Sequence, residues 1–244
     1  MALYYALKVF KDVYQLILKI FEYTKDFPRE YKYTLGQKKK RGQVSTFDIS
    51  ILSVLSVKCW DLTPILMIIY SAIIAGFNNA VLWLYQPYFN LTGLDIFYFG
   101  FVFAAFNVIA AISSKYAHRI EEKLGQKYSL VLLIILVSGS YLLMSHFIYL
   151  FSFSFAFIQQ FVRGFSRPVI TDYINKLISS EVRATILSAQ NLVGRLFYAA
   201  IIPIIGWIVD VYTLVQALFV LGVTSLIAGI IILSQARFFA GKSS

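Results

Sequence analysis

Four amides form two adjacent pairs, Asn78-Asn79 and Gln159-Gln160, inside stretches that are otherwise apolar. Asn107, Gln190, Asn191 and Arg195 stand in similar surroundings. An amide side chain both donates and accepts hydrogen bonds. A set of them can therefore bind a polar solute, or it can tie neighbouring helices together for ~0.6–2 kcal/mol each. Arg195 is the sharpest of the set. A guanidinium midway along a membrane-spanning helix costs at least ~2.5–3.5 kcal/mol, so it is kept for a partner, a substrate contact or a gating ion pair. No Asp or Glu stands well inside an apolar stretch; Asp95, Asp172, Glu181 and Asp210 are at or beyond their ends. There is no Gly-rich phosphate loop, no nucleophile elbow and no metal-ligand cluster, and His118 and His146 fall between the apolar stretches. The residues point to binding and passage rather than catalysis, so no enzyme activity, cofactor or metal is expected.

The elements that must position these residues are apolar helices. Hydrophobic residues make up 59% of the 244 and charged ones 14%, and the mean hydropathy is +0.72. A soluble domain is nearer ~45–50% apolar and ~25% charged. A spanning helix needs ~20 apolar residues. Six stretches meet this, at about 65–84, 96–113, 129–145, 148–167, 185–208 and 213–234. Thr63-Pro64 is a suitable helix start, a cap followed by proline in the first turn.

The net charge of +10 is distributed as topology rather than as a nucleic-acid face. No Lys or Arg occurs in Tyr85–Asp95, around Ser145-His146, or in Val209–Tyr212. The alternate connections hold Lys115, Arg119, Lys123 and Lys127, then Arg163, Arg167, Lys176 and Arg183, and finally Arg237 and Lys242. Both termini are expected in the cytoplasm of a multi-pass plasma-membrane protein, with membrane lipid around it and no nucleic-acid partner. Cys59 is the single cysteine, which excludes an internal disulfide.

Residues 1–37 have another character. Leu3, Leu7, Phe10, Val13, Tyr14, Ile17, Ile20 and Phe21 recur at helical spacing, with Lys8, Lys11, Gln15, Lys19, Glu22 and Lys25 opposite them. This predicts an amphipathic helix ended by Pro28. Residues 38–63 read as a basic junction opening on Lys38–Arg41, and 237–244 as a cytoplasmic tail.

Two resemblances follow. Val13–Gln37, with Phe27-Pro28 and Tyr33–Gln37, resembles the first helix and turn of the Avd-like four-helix-bundle accessory proteins of diversity-generating retroelements. The three further helices of that family do not follow. Residues 61–239 resemble the C-terminal six-helix half of a major facilitator superfamily transporter. The likeness lies in SSKYAHRIEEKLGQKY, in RGFSRPVITDYIN with SSEVRATILSAQNLVGRL, and in PIIGWIVD.

The second resemblance implies an all-α membrane fold of two inverted three-helix repeats, with solute bound near the midplane between halves. It implies a substrate cavity lined by Asn78, Asn79, Asn107, Gln159, Gln160, Gln190, Asn191 and Arg195. It also implies a cytoplasmic gating loop that includes Arg119, Gly125 and Lys127. The expected function is secondary active transport of a small-molecule solute by alternating access, completed by a second six-helix half or by a homodimer. A non-transporting anchor, or a truncated or fused remnant of a transporter gene, is the alternative.

Overall fold

The computed structural model describes residues 63–178 and 183–235. The expectations for residues 1–62 and 236–244 lie outside them. The described residues are helical, with no strand among them. The helices are α1 (Thr63–Leu91), α2 (Phe99–His146), α3 (Ala156–Leu177), α4 (Arg183–Val211) and α5 (Leu214–Gln235), with short 3-10 turns at Ile96–Tyr98 and Leu150–Phe155.

Helix α1 ends in a Schellman turn: Leu94 N–H donates to the Phe89 carbonyl at 3.0 Å and Gly93 N–H to the Asn90 carbonyl at 3.1 Å. Gly93 closes it with φ 80°, a conformation that glycine adopts without a Cβ penalty. Helix α2 contains one non-helical residue, Gly125, at φ 76° and ψ 165°. It divides α2 into two arms, α2a (99–124) and α2b (126–146). Thr213 caps α5, its hydroxyl oxygen accepting from Gln216 N–H at 3.2 Å.

The contacts give each segment a direction. Tyr85 and Phe89, late in α1, meet Phe99, Phe103 and Phe106, early in α2a, with ring centroids 5.1–6.4 Å apart. These two segments are antiparallel. Tyr70 Oη donates to the Leu130 carbonyl at 2.7 Å, Tyr141 Oη to the Phe77 carbonyl at 2.5 Å and Tyr88 Oη to the Phe147 carbonyl at 3.0 Å. Helix α1 and arm α2b therefore run the same way, and the chain reverses at Gly125.

Helix α3 follows α2a: Phe157 packs on Phe106 at 5.0 Å, Ser113 Oγ donates to the Phe161 carbonyl and Tyr173 Oη to Glu121 Oε1, each at 2.7 Å. Helix α4 runs along α1, with Gly194 against Ala72 and Phe197 against Phe77 at 5.5 Å. Helix α5 opposes α2b, with Gly222 against Leu142 and Gly229 against Ile134. The six segments alternate in direction.

Within this bundle Tyr70, Tyr85, Tyr88, Tyr141, Phe89 and Phe165 are fully buried. The outside is apolar as well: Phe219, Ile227, Ile230 and Ile231 of α5 are about half exposed. Four helices are long and apolar enough to cross a membrane, over Leu66–Leu91, Ile96–His146, Ile186–Val211 and Leu214–Ser234. The second of these contains both arms of α2. A protein whose lateral surface is this hydrophobic is embedded in a membrane.

Several predicted boundaries move. Tyr85–Asp95 is mostly helix rather than loop, and so is 114–128, apart from Gly125. Hydropathy marks only the stretch that fits the hydrocarbon, while the hydrogen-bonded helix continues beyond it. The stretch predicted to span at 148–167 instead starts in 3-10 turns. Ser152 is buried there and its Oγ accepts from Tyr149 N–H at 3.1 Å. The regular helix begins only at Ala156.

Candidate functional site

The eight residues proposed for a cavity fall into two environments. Asn78, Gln159 and Gln160 are buried in the contacts between helices. Asn78 Nδ2 donates to both the backbone carbonyl and Oε1 of Gln159, at 2.8 Å each. Gln159 Nε2 donates in turn to the Val137 carbonyl at 3.2 Å, and Gln160 Nε2 to Tyr85 Oη at 2.9 Å. Gln160 Oε1 has no partner among the described residues. These amides join α1, α2b and α3 where water is excluded, and they do not reach the surface of the chain.

The others turn outward. Asn79, Asn107, Asn191 and Arg195 are exposed, and Gln190 is half-buried. Helix periodicity sets this. On α1 the exposed residues Ala75, Asn79, Trp83 and Gln86 recur at three- and four-residue steps, so Asn79 points away from the core while its neighbour Asn78 points into it. On α4 the exposed residues Ser188, Asn191, Leu192, Arg195 and Ala199 form the matching stripe.

Between the two stripes is a cleft of about 160 Å³, lined by Ser71, Ala72, Ala75, Asn79, Gln190, Asn191, Gly194 and Arg195. Its floor is narrow because a Cβ on Gly194 would lie 3.8 Å from the Ala72 Cα. Toward the other end of the helices Trp83 Nε1–H donates to Tyr198 Oη. Arg195 is exposed, and it has no hydrogen-bond or ion-pair partner among the described residues.

Asn107 lies on α2a, where its Nδ2 donates to the Phe103 carbonyl at 3.0 Å and its Oδ1 accepts from Arg163 Nη2 at 2.9 Å. The sequence reading counts Arg163 among the connection charges. It does so because the fourth apolar stretch is ended at 167, four residues after Arg163, whereas the helix runs on to Leu177. With the helix beginning at Ala156, Arg163 is one turn past Gln159 and faces Asn107. The partnership of Tyr85 with Gln160 was also missed, since an aromatic in an apolar run gives no sign that its hydroxyl will meet an amide.

The proposed gating residues fall at the end where α2a turns into α2b. Arg119 is exposed and sits over the Tyr116 ring, 5.7 Å from its centroid. Gly125 forms the reversal, and Lys127 is exposed beside it. Lys115, Lys123, Arg167, Lys176 and Arg183 share this end. Asp172 lies 2.6 Å from Lys176 Nζ, and its hydrogen bond holds that ammonium above the ordinary lysine pKa.

The opposite end carries no Lys or Arg among its connections. It carries exposed aromatic pairs at each turn: Phe97 with Tyr98 at 5.3 Å, Tyr149 with Phe151 at 5.8 Å, and Trp207 with Tyr212 at 6.1 Å. Exposed aromatics of this kind collect at membrane interfaces. The described carboxylates, Asp95, Glu121, Glu122, Asp172 and Asp210, all lie near one or other end, and none lines the cleft. No group of His, Cys, Asp and Glu among the described residues could hold a metal ion. No family model, curated protein or solved structure matches the chain.

Proposed function

We propose that the chain is the C-terminal six-helix half of a secondary transporter of the major facilitator type. The six alternating segments are its six spans, the basic end lies in the cytoplasm of a plasma-membrane protein, and a second half completes the solute site. The observation that carries the reading is the polar stripe of Asn79, Asn191 and Arg195 on a mostly apolar exterior. Exposed amides and a guanidinium facing lipid would be costly. Facing a water-filled cavity between two halves they are solvated, and they can bind a polar solute.

The packing supports two inverted repeats, α1–α2a–α2b and α3–α4–α5. Gly76 of α1 and Gly164 of α3 stand 88 positions apart, and each is the close-approach point on its helix, against Phe197 of α4 and Ala110 of α2a. The same shift of 88 carries Ala110 to within one position of Phe197. It also carries Ile134 onto Gly222 and Leu142 to within one position of Gly229, so the two contacts of α2b with α5 exchange with each other. Such exchange is what a pseudo-twofold axis between the triplets produces.

Under this axis Ala75 corresponds to Arg163, and Asn107 to Arg195. The Asn107–Arg163 pair and the Arg195 cleft are then equivalent places on one face. Helix α3 is polar because it lies along that face and runs past the membrane at its basic end.

Reconstituted full-length chain, with its partner half or as a homodimer, is expected to move a polar solute across proteoliposomes. Asn191→Leu is expected to lower that flux by ~10-fold, the loss of about one good hydrogen bond. Absence of flux for every assembly and every solute class, with the protein folded, would remove the reading.

A further inference from the structure

The cleft between α1 and α4 has a charge preference as well as a shape. Arg195 enters it with no partner among the described residues. The groups around it are neutral: Ser71, Asn79, Gln190 and Asn191. No described carboxylate lines the cleft to compensate the charge. Arg163, which lies on the same face, is bound among the described residues only to a neutral amide, that of Asn107, at 2.9 Å. A guanidinium keeps its charge in any protein environment, so the face is positive wherever it meets solute. Guanidinium donors in a planar fork, flanked by amide donors, match the oxygens of a carboxylate or phosphate. The volume of about 160 Å³ is below the ~300–1,000 Å³ of a complete small-molecule pocket. It suits one anionic group of a solute rather than the whole of it.

We infer that the Arg195 cleft binds the anionic oxygen group, carboxylate or phosphate, of the solute. This rests on the reading that the face meets solute.

The test is binding of inorganic phosphate and of succinate to the full chain in phosphatidylcholine nanodiscs, where no anionic headgroup competes. Saturable binding of at least one is expected, with choline and glycerol failing to compete, and the stronger anion identifies the group. Arg195→Gln is expected to weaken it by at least ~10-fold. Arg195→Lys should retain most of it, and Arg167→Gln, at the basic end, all of it. No saturable binding of either anion, binding unchanged in Arg195→Gln, or an equal loss in Arg167→Gln would overturn the inference. A carboxylate from a second half that pairs with Arg195 would give the first of these results. Anion binding without flux supports the inference while counting against transport. Flux of a neutral solute with no anion binding does the reverse.

Discussion

Gly164→Leu is expected to leave little folded protein in the membrane. A Cβ at this position would overlap the Ala110 carbonyl oxygen and lie 2.9 Å from the Ala110 Cα and carbonyl carbon. Those are backbone atoms, so no side chain can move aside, and α2a and α3 would have to separate. The separation would also stretch the bond from Ser113 Oγ to the Phe161 carbonyl, now 2.7 Å, and the Asn107–Arg163 pair beside it. Overpacking a tight contact costs ~1–3 kcal/mol even where side chains can adjust, and here the whole crossing must open. Small residues at such crossings are what allow membrane helices to approach closely. The yield of monodisperse protein after detergent extraction measures the effect. Gly139→Leu and Gly100→Leu are the controls, since neither glycine has any atom within 4 Å of an added Cβ. Equal yields for all three variants would show that the α2a–α3 crossing is looser than described.

Gly125→Val is expected to disturb the topology as well as the stability. At φ 76° and ψ 165° this residue occupies a region open essentially only to glycine, where other residues pay ~1–3 kcal/mol. The reversal between α2a and α2b depends on this one residue. If valine took helical angles instead, the 48 residues of α2 would form a single rod of ~72 Å at ~1.5 Å per residue. A hydrocarbon core of ~30 Å accommodates half of that. The bonds from Tyr70 and Tyr88 of α1 to α2b and its neighbouring turn, and from Tyr141 of α2b to α1, would all be lost. Thermal denaturation of the purified variant, compared with Lys127→Val nearby, reads the outcome. A melting temperature within the range of that control would contradict the role given to Gly125.

The membrane character and the helical segments were legible because hydropathy is a property of long stretches. The ends of the segments were less legible. A helix continues wherever its backbone bonds are satisfied, so α1 runs on through Pro87 to Leu91, past the point where apolar residues thin out. Gly125 was marked as a loop residue, but its role as the single break needed the φ and ψ angles.

The amides were recognised as a set, yet only their periodic position divides them. Asn78 and Asn79 are adjacent in sequence and turn to opposite environments. For Arg195, helix position gives depth along the membrane but not the direction the side chain faces. Arg163 reads as a connection charge because the apolar stretch thins out near 167, while the helix runs on to Leu177. Pairings such as Gln160 with Tyr85 depend on which helices cross, and that is not a local property of either stretch.

A solute site on this face requires Asn79 and its neighbours to face water rather than lipid. With Cys59 replaced by serine, Asn79→Cys and Ile227→Cys can be treated in membrane vesicles with a water-soluble, membrane-impermeant maleimide. Both positions are exposed on the bundle, at similar remove from its ends, and only the first lies on the polar stripe. The account predicts rapid alkylation of Asn79→Cys and protection of Ile227→Cys. Equal protection of the two would place the stripe in lipid or in a dry contact, and would contradict the account.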